Sequence, residues 1–161
     1  MGLDMYLYGA IHKIDSETCT SKIKLKEVGY WRKQNAIHNW IVKNVQDDVD
    51  NCAMYYVPEH DLKKLLLACK TVLENPTVEN AMKILPTVGG FFFGGTDLTD
   101  DFELEYYLDG LKYTVKLIRE LLAEDEFEYY IYQSSWWLDE KNNDFRIFWQ
   151  IKRWTSNVHR I

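Results

Sequence analysis

The sequence is poor in the residues that define several protein classes. Its three cysteines, Cys19, Cys52 and Cys69, are odd in number and form neither a Cys-x-x-Cys pair nor a zinc-finger spacing with histidine. That argues against a disulfide framework and for free thiols in a reducing compartment. The four histidines, His12, His38, His60 and His159, are scattered and include no His-Glu-x-x-His, so no metal site is expected. No apolar run reaches the about 18 residues of a membrane span; residues 62–73 come nearest and are broken by Lys63, Lys64 and Lys70. The opening residues carry Asp4 and no cationic region before an apolar stretch, unlike a secretory signal. The expectation is a cytoplasmic chain without a membrane partner. Bases are fewer than acids, 19 against 25, and a net charge of −6 argues against broad nucleic-acid binding.

What is present suits one globular domain over residues 1–161, with 138–161 as a candidate C-terminal extension. The chain is 47% hydrophobic and 15% aromatic, and a chain of this length buries roughly 70% of its unfolded surface on folding. No cofactor is needed to stabilise it. Charge is uneven. Residues 97–109 hold six acids and no base, whereas residues 146–160 hold four bases, His159 and no acid. Faces of opposite sign would allow a homo-oligomer.

Residues 3–11 are β-prone and read as a central strand. Lys22, Ile23, Lys24, Leu25 and Lys26 alternate as an edge strand does, with lysines that discourage pairing with another chain. From Trp31 to Val45 the pattern turns helical, through Ile37, Trp40, Ile41 and Val45. Pro58 and the acids after it open a second helix, and Thr77 caps a short third one that ends before Pro86. Leu104, Leu108, Leu111, Val115, Ile118 and Leu122 line a long helix over residues 101–123. Residues 128–135 and 144–149 read as strands. The class is α+β, a mixed or antiparallel sheet of about four to five strands packed against three to four helices.

Three segments carry chemistry. In residues 30–40, Arg32 and Lys33 suit phosphate oxygens, Asn35 and His38 suit a base or ribose, and Trp31 suits stacking on a ring. The alternative is an amphipathic helix whose indoles are core. Residues 89–96, ending at Thr96, place paired glycines around Phe91-Phe92-Phe93. They read as a tight turn beside a buried Phe strand, or as an anion-binding nest. Ser134, Ser135 and Trp136 end a strand without a Gly-x-Ser-x-Gly elbow, so the serines suit ligand donors better than nucleophiles. With Asp4 and Tyr6 these residues form the expected pocket for a nucleotide-like molecule.

Met1-Gly2-Leu3-Asp4-Met5-Tyr6-Leu7-Tyr8, Gly29-Tyr30-Trp31-Arg32-Lys33-x-Asn35-x-Ile37-His38-x-Trp40, Gly90-Phe91-Phe92-Phe93-Gly94 and Ser134-Ser135-Trp136 occur together. In this combination the chain resembles, over residues 1–137, a family of small bacteriophage and prophage proteins with no settled activity. The resemblance implies an accessory, counter-defence role in the bacterial host's cytoplasm. Three functions follow from it: sequestering a nucleotide-derived signal, inhibiting a host defence protein such as a CRISPR nuclease through the acidic face, or hydrolysing a nucleotide signal. The last would use His38 as general base and Arg32 to stabilise phosphate charge. A binder is favoured over an enzyme.

Overall fold

Residues 4–8 alternate Asp4, Tyr6 and Tyr8 with Met5 and Leu7, and a pleated strand sends the two sets to opposite faces. They begin β1 (Asp4–Asp15), an inner strand of a four-stranded sheet. The computed structural model describes residues 2–15, 20–124 and 126–136. The other elements are β2 (Thr20–Arg32), α1 (Asn35–Val45), β3 (Tyr55–Val57), α2 (Glu59–Glu74), α3 (Val78–Ile84), α4 (Asp101–Ala123) and β4 (Tyr129–Ser135). The sheet order is β2-β1-β4-β3, and every neighbouring pair is antiparallel. The protein is therefore α+β, with four described strands and four described helices.

Met5 and Leu7 of β1, Trp31 of β2, and Tyr130 and Tyr132 of β4 join Ile37 of α1, Leu65 of α2, and Leu111 and Ile118 of α4 in one core. Each such fully buried aliphatic side chain contributes about 1.5–3 kcal/mol. Asp4, Tyr6, Tyr8, Tyr30, Arg32, Gln133 and Ser135 share the opposite face, as the alternation and the pairing register require. The register steps from Leu7↔Gly29 to Tyr8↔Glu27, so Val28 is the extra residue of a β-bulge.

β2 is the expected edge strand, with Lys22, Lys24 and Lys26 exposed. Near its end α4 seals the edge. The Tyr113 hydroxyl accepts from the Tyr30 N–H at 3.3 Å, and the Tyr106 hydroxyl donates to the Arg32 carbonyl at 2.5 Å. Backbone groups that an edge strand would leave open are thereby satisfied.

Two expectations change. The helix read from Trp31 starts at Asn35. Trp31 and Arg32 still pair with Met5 and Asp4 in the sheet, and Lys33 then takes a left-handed backbone, φ 53°, which no helix contains. Residues 89–96 form a turn and loop without a strand, and Phe91 is 95% exposed. The loop is nevertheless tied to the sheet, because the Leu3 N–H donates to the Phe92 carbonyl at 2.8 Å.

The long helix spans 101–123 as expected, but its buried stripe is centred on Tyr107, Leu111, Thr114 and Ile118. Thr114 can be buried because its hydroxyl accepts from the Trp31 indole at 2.8 Å and donates to the Gly110 carbonyl at 2.7 Å. Pro58 precedes α2, and the Thr77 hydroxyl caps α3 by accepting from the Asn80 N–H. The strand expected at 144–149 and the extension at 138–161 lie outside the described residues. No described helix is long and apolar enough to cross a membrane.

Candidate functional site

The chain leaves the sheet at Arg32 and enters α1 at Asn35, so only Lys33 and Gln34 make the turn. The Lys33 N–H donates to the Leu3 carbonyl at 2.7 Å, which fixes this turn to the start of β1. Asn35, 4% exposed, then fastens the loop before α4. Its amide nitrogen donates to the carbonyls of Phe93 at 3.1 Å and Gly95 at 2.8 Å, and its oxygen accepts from the Val88 N–H at 3.2 Å. All of its side-chain hydrogen bonding is with loop backbone.

Between this turn, the loop and the start of α4 lies a groove of about 250 Å³, just under the range of about 300–1,000 Å³ usual for ligand pockets. Lys33 brings a cation to it, Glu103 a carboxylate, and Phe102 and Tyr106 aromatic rings; Arg32 also lines it, but its guanidinium turns to Asp4 and Tyr30 on the other face of the sheet. The neutral polar side chains lining it each make at least one hydrogen bond within the protein. Gln34 donates to the Tyr106 carbonyl, Asn35 holds the loop, Thr87 donates to the Thr96 carbonyl, and Tyr107 donates to the Leu85 carbonyl. Among the described residues, the side chains of Lys33 and Glu103 have neither an ion pair nor a hydrogen bond, with each other or with anything else. The Arg32 guanidinium is engaged by Tyr30 and by Asp4, the latter at 3.4 Å.

Two glycines seat these charges. A Cβ on Gly94, whose φ is +91°, would stand 3.1 Å from the Lys33 Cβ. A Cβ on Gly95 would collide with the Glu103 carboxyl group. Glu103 also occupies the third position of α4, from which a glutamate commonly reaches back to the capping residue's N–H. Here the Asp100 carboxylate accepts from the Glu103 N–H, but the Asp100 N–H is taken by the Asp97 carbonyl. The Glu103 carboxylate is left to the groove. A larger cavity of about 340 Å³ elsewhere carries Glu59, Glu124 and Glu128 and no cation among its described lining residues, so it does not suit an anion.

A second polar cluster lies inside the fold. One ring nitrogen of His38 meets the Tyr132 hydroxyl at 2.8 Å and the other meets Asp50 at 2.9 Å; the Trp136 indole donates to the second Asp50 oxygen at 3.1 Å. Burial pushes the Asp50 carboxyl pKa up, but the hydrogen bonds from His38 and Trp136 more than offset this and hold it below its ordinary value of 3.8. A carboxyl whose pKa is depressed on folding adds stability that is complete above its unfolded pKa and is lost as pH falls through the folded one. Acid unfolding below about pH 4 should therefore be shallower in Asp50→Asn than in the native chain, as denaturant midpoints measured against pH would show.

No protein-family model, curated protein or solved structure matches the chain.

The residues expected to form one pocket are divided among three places. Arg32 and Asn35 line the groove, and Thr96 adjoins it through the Thr87 contact, although Asn35 positions the loop and has no side-chain group left for a ligand. Asp4, Tyr6 and Ser135 lie on the sheet face opposite the core. There Asp4 accepts from the Tyr30 hydroxyl, raising the phenol's pKa, and Tyr6 packs on Tyr8 and Tyr30. Trp31, His38, Ser134 and Trp136 sit on the core side of the sheet. Trp31 is 3% exposed and hydrogen-bonded to Thr114, so it is core and has no free face for stacking. His38 is 1% exposed with both nitrogens engaged, so it cannot reach a substrate as a base. Ser134 is buried with no hydrogen-bond partner among the described residues. Sequence reading left out Phe102 and Tyr106, and took Glu103 only as one acid of the run at the start of the long helix.

Proposed function

We propose that the protein binds and sequesters a small nucleotide-type anion in the groove, and that this is a bacteriophage counter-defence activity against a nucleotide-derived signal in the host cytoplasm. The observation that carries the reading is the groove's uncommitted chemistry: the Lys33 cation for phosphate, the Glu103 carboxylate for ring or sugar donors, and the exposed rings of Phe102 and Tyr106 for stacking. Such stacking contributes about 1–3 kcal/mol per base. The bacteriophage-family resemblance supports the biological setting. Turnover is not part of the proposal, because the groove is not lined by His38 or any other histidine.

Native mass spectrometry of the purified protein with cyclic and ADP-ribose-type nucleotides tests it. A retained ligand of unchanged mass is expected; a product mass, or no bound species, overturns it. Lys33 gives a sharper prediction. Its left-handed backbone conformation costs about 1–2 kcal/mol in a residue with a Cβ, so Lys33→Gly relieves strain while removing a cation. Its thermal midpoint should equal or exceed that of the native chain, while nucleotide affinity falls about ten-fold, as expected from loss of one charge-assisted hydrogen bond.

A second reading rests on a separate observation. Asp97, Asp100, Asp101, Glu105 and Asp109 are all exposed, and so is Phe102 within the same run, at 72%. An acidic surface with an exposed aromatic suits a basic protein partner, as an inhibitor of a host effector requires. Charge reversal at Asp101 and Glu105 separates the two readings: it would abolish effector inhibition and leave nucleotide binding in place.

A further inference from the structure

Resting on the proposed nucleotide site, we infer that the groove selects guanine, with the Glu103 carboxylate reading the base and Lys33 holding the phosphate. Gln34, Asn35, Thr87, Tyr106 and Tyr107 each donate to a protein carbonyl. What they still offer includes the neutral Gln34 oxygen and hydroxyl lone pairs, whereas Glu103 supplies the carboxylate among the described lining residues, the group that takes two adjacent donors at once.

An ionised carboxylate accepts at two adjacent oxygens and donates nothing. Guanine presents two adjacent donors on its Watson–Crick edge, N1–H and the exocyclic amine, which match those oxygens in pairs. Adenine and cytosine place a ring-nitrogen lone pair beside their amine, and that lone pair would face a carboxylate oxygen. Uracil flanks its one ring N–H with carbonyls. The exposed Phe102 ring gives a flat purine a stacking surface, which a free amino acid with the same charges would not use.

The Glu103 carboxylate is also seated by the fold. Gly95 leaves the space that the carboxyl group occupies, and the Asp97 carbonyl occupies the Asp100 N–H that would otherwise draw it back to the helix start. Gly95→Ala keeps the charge and moves it, because the new Cβ would collide with the flexible carboxyl end and not with rigid backbone.

Calorimetric titration of the full chain with GMP, IMP and AMP tests the inference. A good bidentate base contact is worth about 1–3 kcal/mol of discrimination, or about ten- to a hundred-fold in affinity. GMP is expected to bind at least about ten-fold tighter than AMP, with IMP, which lacks the exocyclic amine, between them. Glu103→Gln and Gly95→Ala should each bring GMP down to the AMP affinity with the circular dichroism spectrum unchanged. Equal affinities for GMP and AMP in the native chain overturn the guanine assignment and leave the nucleotide groove standing. A GMP preference that survives in both variants overturns the role of Glu103. If none of the three nucleotides binds, the groove reading and this inference fall together.

Discussion

Replacing His38 by alanine is expected to lower the unfolding free energy by about 3–4 kcal/mol, a large share of the about 5–15 kcal/mol typical of a domain. The ring lies 1% exposed and bridges the fully buried Tyr132 hydroxyl and the half-buried Asp50. Truncation removes its packing against the Phe93 ring, 5.2 Å away, and leaves the Tyr132 hydroxyl without the His38 hydrogen bond. Losing the partner of a buried polar group costs about 1–3 kcal/mol, and the cavity adds to it. Equilibrium urea unfolding measures the loss. Folded His38→Ala protein should still bind the groove ligand with native affinity, because His38 is not among the groove's lining residues. Unchanged stability with lost binding would reverse these assignments.

Asn35→Ala is expected to cost about 2–3 kcal/mol and to weaken ligand binding, although Asn35 itself makes no ligand contact in this reading. Its three hydrogen bonds hold the Val88, Phe93 and Gly95 backbone, and with it the loop carrying Gly94 and Gly95. Asn35→Asp should be worse than alanine. The carboxylate keeps the bond from the Val88 N–H but directs an acceptor at the carbonyls of Phe93 and Gly95, setting negative charge against two oxygens. Hydrogen exchange reads this directly, since the Val88 amide should lose protection in Asn35→Ala and keep more of it in Asn35→Asp. Native-like protection of Val88 in Asn35→Ala would show that the loop is held by other contacts.

Elements with long periodic patterns were legible in the sequence, and short or irregular ones were not. The span of α4 and the lysine alternation of β2 follow from apolar spacing over many residues. β3 is three residues long and too short to have a period. Trp31 and Arg32 were drawn into the helix because the apolar spacing of α1 gives no sign of where it starts; the left-handed Lys33 sets that point, and a lysine does not advertise it. The site divides along the same line. Arg32 and Lys33 stood out by charge, and the glycine pairs signalled close approach. The partnership of His38 with Asp50 and Tyr132 depends on pairings across 12 and 94 residues, which no local pattern encodes. Glu103 looked like one acid among several at a helix start. Its distinction lies in the engagement of the Asp100 N–H by another residue, a fact of three-dimensional structure.

Backbone and side-chain amide NMR of the ¹⁵N-labelled chain, titrated with GMP, tests most directly whether the groove is the binding site. The shifts expected to move are those of Lys33, Gly94, Gly95 and the Gln34 side-chain amide, with Tyr6, Tyr8 and Tyr30 on the sheet face opposite the core unmoved. Shifts confined to that tyrosine face, or none at saturating nucleotide, would contradict it.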